Sequence, residues 1–154
     1  MIYSTVLFVH SWLRWAVLLL GLAALVRSVR GWTQGGPWTA TDRKISAAFV
    51  GSLDTQFLLG LILYVVLSPL TPKSLDALRA AMPITALRFF AVEHAFLMIA
   101  ALVVAHVASA RAKRATNPTA QHRHMALGVL FTLLLVLAAI PWPFLPHGRP
   151  LFRI

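Results

Sequence analysis

Residues 2–26 read IYSTVLFVHSWLRWAVLLLGLAALV, an apolar run broken only by His10, Arg14 and a few small polar side chains. A helix needs about 20 mostly apolar residues to cross the roughly 30 Å hydrocarbon core of a bilayer, so this stretch predicts a membrane span. No basic segment precedes it and no small-residue cleavage pattern follows Met1–Val9, so the expectation is a retained span and not a removed signal. Three further runs behave alike, at about 45–67, 87–110 and 125–140. The last is the shortest, ended by Pro141, Pro143 and Pro146, which lack the backbone donors a helix needs to continue. Short connections between spans favour antiparallel neighbours. The expected architecture is therefore an all-α integral membrane protein, an up-down-up-down four-helix transmembrane bundle forming a single domain over residues 1–154.

Composition points the same way. Hydrophobic residues make up 59% of the 154 and charged residues 12%, with a mean hydropathy of +0.78, whereas soluble domains carry about 25% charge. Fourteen Lys and Arg face four Asp and Glu. In a soluble chain that imbalance suggests nucleic acid. Here the bases are divided among loops at both ends of the spans, with no continuous groove, and nucleic acid is not expected. Arg27, Arg30, Arg43 and Lys44 lie between the first and second spans, and Arg111, Lys113, Arg114 and Arg123 between the third and fourth. The positive-inside rule puts both loops in the cytoplasm and both termini outside.

The absence of cysteine removes disulfides, thiolate metal sites, iron–sulfur clusters and covalently attached haem. Between the second and third spans, Ser74 can cap a short helix in which Leu75, Leu78 and Met82 recur at helical spacing before Pro83. An amphipathic helix over about 74–82 in the outer interface is expected. Trp32, Trp38 and Trp142 fall near span ends, where indoles favour the membrane boundary. No nucleotide-binding glycine fingerprint, serine nucleophile elbow or internal repeat is present.

Ionisable residues inside a span are costly and mark candidate sites. The first span carries His10 and Arg14, the second Asp54 and Gln56, the third Glu93, His94 and His106. Counting about 1.5 Å per residue from each span end puts Arg14, Asp54 and Glu93 near mid-bilayer. A buried charge network of Arg14, Asp54 and Glu93 is therefore expected, serving either to fix helix register or to form a proton relay or polar site.

His10 and His94 lie at compatible depths on helices expected to run parallel. Two such imidazoles can fill both axial positions of a b-type haem, which needs no cysteine and an apolar slot. Arg14 sits one turn beyond His10, and Arg88 toward the outer surface from His94. Arg14 and Arg88 are candidate propionate partners, and Gln56 or Glu93 could orient an imidazole through its second nitrogen. A second haem on the cytoplasmic side would draw on His106 with His122 or His124. Yet His106 follows His94 by 12 residues, about 120° around the helix, so it faces elsewhere; His122 and His124 read more readily as solvated loop histidines and His147 as surface. A bare metal held by His10 and His94 with Asp54 or Glu93 is the weaker alternative.

The segments His10-Ser-Trp-Leu-Arg-Trp15, Gln56-Phe-Leu-Leu-Gly-Leu-Ile-Leu-Tyr64, Arg88-Phe-Phe-Ala-Val-Glu-His94 and Ile140-Pro-Trp-Pro-Phe144 resemble the small bacterial four-span proteins called cytochrome b-like, over nearly the whole chain. The resemblance implies a haem b electron carrier, and His10 and His94 match the recurrent histidines; with the outside termini read from the loop charges, the expected location is the bacterial inner membrane with periplasmic termini. His106 has no counterpart in that pattern, which puts a second haem in doubt. The implied partners are the lipid bilayer and a quinol or another redox membrane protein. The alternative from another class is a cofactor-free accessory or assembly subunit of a larger complex, or a homo-oligomer, packed through Gly21, Ala23, Ala24, Gly51, Gly60 and Gly128. An ion pathway through Arg14, Asp54 and Glu93 is a third.

Overall fold

The apolar run at 2–26 continues as helix through the arginines beyond it. In the computed structural model, which describes residues 1–152, α1 spans Ile2–Gln34. It stops at Gly35, whose φ of 68° is left-handed, a conformation that glycine adopts without a Cβ clash. Helix α2, Ala40–Leu67, opens on a reciprocal cap. Thr39 accepts from the Asp42 N–H while the Asp42 carboxylate accepts from the Thr39 N–H at 2.8 Å. A short helix α3, Leu75–Ala81, is capped by the Ser74 side chain. Helix α4 runs Thr85–Arg114, and α5 runs Pro118–Ala139 behind an Asn117 cap on the Ala120 N–H.

Among the described residues there is no strand, and α1, α2, α4 and α5 are each long and apolar enough to cross a membrane. All four extend past the apolar runs, because local caps and not hydropathy set where a helix ends. Large apolar side chains such as Leu19, Leu58, Phe96, Val103 and Leu134 point outward. A helix apolar on every side suits lipid and not water.

Helix α1 packs on α2 and α5, and α4 packs on α5. The core joins Val17, Ala24, Phe49, Leu53, Ala101, Ala105, Met125 and Val129. Small residues set the closest approaches. A Cβ on Gly21 would fall 2.7 Å from Leu133 and 2.9 Å from Phe49, one on Gly128 would strike Ala108, and one on Gly31 would strike the His122 ring.

The other end of the bundle is more open. Gly21 lies beside Leu133; from there α1 extends roughly 28 Å to its start, whereas α5 stops after about 10 Å. Beyond Ile140 the chain turns into a strap, residues 141–152, held by Gly148 N–H to Leu145 O at 2.8 Å and Arg149 N–H to Pro141 O at 3.0 Å. Two π-helical turns, Leu63–Leu67 ending α2 and Phe89–Glu93 within α4, widen the same end. Such turns are frequent at functional sites.

Candidate functional site

The two prolines that end α5 also create its most useful acceptors. A helical carbonyl at position i bonds the N–H at i+4, so Leu137 and Ala139 would need donors from 141 and 143. Both are proline. Instead, Trp142 Nε1 donates to Leu137 O at 2.9 Å, and His94 Nδ1 donates to Ala139 O at 2.8 Å. A carbonyl cannot donate, so the His94 ring carries its proton on Nδ1 and keeps a lone pair on Nε2. That tautomer leaves Nε2 as the nitrogen able to bind a metal.

His94 and His10 line one cavity of about 380 Å³, enclosed by α1, α2, α4, the end of α5 and the strap. Cofactor sites occupy roughly 300–1,000 Å³ and are mostly apolar with a few placed polar groups. His10 Nε2 accepts from the Gln56 amide nitrogen at 3.2 Å, and the same nitrogen donates to His10 O at 3.0 Å. Gln56 therefore retains a partner if the ring nitrogen is given to a ligand. His10 Nδ1 and Gln56 Oε1 are buried with no hydrogen-bond partner among the described residues. Orphaned buried polar atoms each cost about 1–3 kcal/mol, which suits a pocket meant to receive a polar occupant. Gly60, one turn beyond Gln56, makes room for the ring: a Cβ there would sit 3.1 Å from His10 Cε1.

The widened turns brace the walls. Tyr64 O accepts from Thr71 Oγ1 at 2.7 Å and Lys73 Nζ at 2.5 Å, while the Tyr64 hydroxyl donates to Ala91 O at 2.8 Å, tying one wide turn to the other. The strap closes the mouth. Leu151 O accepts from Arg14 Nη2 at 2.6 Å and Trp15 Nε1 at 3.4 Å, Phe152 stacks on Trp15 at 5.2 Å, and the Arg149 guanidinium lies 5.3 Å over Phe90.

The expected charge network of Arg14, Asp54 and Glu93 does not assemble. Glu93 Oε1 pairs with Arg88 Nε at 2.8 Å, Asp54 Oδ1 with His106 Nε2 at 2.8 Å, and Arg14 reaches the strap. Depth along a span says nothing about which way a side chain points around it. The Phe89–Glu93 turn, with bonds spanning five residues, brings Arg88 and Glu93 onto one face, so neither of them lines the cavity. The roles expected for Arg88 at a propionate and for Glu93 behind an imidazole are both set aside. Gln56, by contrast, does meet His10.

His106 is exposed and bonded to Asp54, away from the cavity lining. No group of three His, Asp or Glu side chains placed to hold a metal ion occurs among the described residues, so Asp54 and Glu93 do not join His10 and His94 around a bare metal. His124, at the start of α5, is half-buried and lies outside the cavity lining as well. His122, read as a solvated loop residue, is 1% exposed, with Nε2 facing Pro37 O at 3.2 Å and its ring edge-on to Trp38. His147, read as surface, stacks on Phe89 at 3.6 Å between centroids. Sequence reasoning missed Arg149, Tyr64 and the strap; the donor-less positions Pro141 and Pro143 were the available signal. Comparison with protein-family models, curated proteins and solved structures finds no match.

Proposed function

We propose that this chain is a b-type haem-binding protein of the bacterial inner membrane. In this reading it is an up-down-up-down bundle with periplasmic termini, passing single electrons between a quinol and another redox protein of the membrane. The observation that carries the reading is the pairing of two imidazoles in one apolar cavity, one of them fixed as the Nδ1–H tautomer by Ala139 O. His10 and His94 would hold the iron, Gln56 would steady His10 through its backbone oxygen, and Arg14, bonded to Leu151 O, adds a positive charge to the same lining. Haem supplies one-electron redox chemistry; the chain supplies ligation, burial and a nearby positive charge that tunes the potential. The Leu, Met and Val side chains of the lining keep water from the ring.

The purified protein should give a reduced-minus-oxidised spectrum with the narrow α band of low-spin haem b and about one haem per chain. A colourless protein from haem-replete cells, copurifying with a larger complex, would establish the accessory-subunit alternative instead.

A further inference from the structure

Among the described residues the cavity lining contains two guanidiniums, Arg14 and Arg149, and no Asp or Glu. Arg149 is the informative one. It is half-buried on the strap, its backbone N–H is fixed on Pro141 O at 3.0 Å, and its side chain lies across Phe90. The ion pairs formed among the described residues are Arg27–Asp42, Arg79–Asp76, Arg88–Glu93 and His106–Asp54, and Arg149 pairs with no carboxylate among those residues. A guanidinium lining a mostly apolar pocket gains from a counter-ion there, and its geometry matches a carboxylate through two parallel hydrogen bonds.

We propose that Arg149 binds a carboxylate of the cavity's ligand, so that the site selects a porphyrin bearing free propionates over a neutral one and the strap is held down by the ligand it covers. This rests on the haem reading above. It assigns the propionate contact to a residue 55 positions beyond His94 in sequence, in place of Arg88, which Glu93 already occupies. The backbone supports the placement. Gly148 permits the turn that aims Arg149 inward, since a Cβ there would fall 2.5 Å from Trp142 O and 2.8 Å from Pro143 O.

The test is a titration of detergent-purified, haem-free full-length protein with ferric protoporphyrin IX and with its dimethyl ester, followed by the low-spin Soret band. A charged hydrogen bond predicts that wild type prefers the diacid by about tenfold or more. Arg149→Leu should remove most of that preference, and Arg149→Lys should restore part of it. Comparing preference ratios between variants cancels the greater partitioning of the ester into micelles. Equal affinities in wild type, or an unchanged ratio in Arg149→Leu, overturn the assignment while the low-spin spectrum upholds the haem reading. Absence of a low-spin band with either porphyrin overturns both. If Arg149→Leu fails to fold, Arg149→Gln takes its place, and a diacid-to-ester ratio unchanged from wild type overturns the assignment.

Discussion

His122 and His94 make an instructive pair, one at the basic end of the bundle and one at the open end. Each ring nitrogen meets a backbone carbonyl, Pro37 O at 3.2 Å and Ala139 O at 2.8 Å. Around His122 the space is filled, although its Nδ1 is left without a hydrogen-bond partner among the described residues: Gly31 touches the ring, Trp38 meets it edge-on and the side chain is fully buried. Around His94 the helix that should have filled the space has stopped at Ala139, leaving the cavity. A buried histidine becomes a candidate ligand only where packing leaves room beside its free nitrogen. The charges differ as well. Arg27, Asp42 and Thr39 satisfy one another at the basic end, while at the open end two guanidiniums, Arg14 and Arg149, line a cavity with no Asp or Glu among its described lining residues.

The sharpest way to break this contrast is to remove each ring in turn. His94→Ala should abolish the low-spin haem spectrum outright. His122→Ala should keep that spectrum and instead lower stability by about 1–3 kcal/mol through a cavity and a lost hydrogen bond, read as a lower midpoint in thermal unfolding followed by size-exclusion chromatography. Loss of the spectrum in His122→Ala with the fold intact would erase the distinction.

Glycines probe the same two regions from the backbone side. Gly31→Val forces a side chain into His122 and should destabilise by about 1–3 kcal/mol without changing the spectrum of the protein that folds. Gly60→Ala adds one methyl 3.1 Å from His10 Cε1, so the ring must give by a few tenths of an ångström. Its expected signature is a shifted Soret band and weaker haem retention, at a stability cost below about 1.5 kcal/mol. The smallest effect belongs to the cap: Thr39→Ala should cost about 1 kcal/mol and leave the spectrum untouched, because Thr39 does not line the cavity.

Much of the helix pattern was legible because it depends on residue type alone. Apolar runs at 2–26, 45–67, 87–110 and 125–140 announce four long helices, and the prolines at 141, 143 and 146 announce the end of the last. Helix ends were misjudged by up to eight residues at Gln34, since hydropathy falls at Arg27 whereas the backbone ends only where Gly35 turns left-handed. Depth arithmetic placed Arg14, Asp54 and Glu93 at one level, yet each took a different partner. A one-dimensional count fixes height but not azimuth, and a π-helical turn alters the azimuth of everything around it. The pairing of Gln56 with His10 was among the options because both residues lie on apolar spans with few other polar neighbours.

By itself, then, the sequence determined the all-helical architecture, the four apolar helices and the identity of the two histidines worth testing, because hydrophobic length and the missing N–H of proline act locally. The tertiary structure alone decided that α5 stops short beside a longer α1, that Ala139 O orients His94, and that Arg149 returns from the far end of the chain to the same cavity. Those outcomes depend on how helices of unequal length lie against one another, a relation between distant segments that no local pattern encodes.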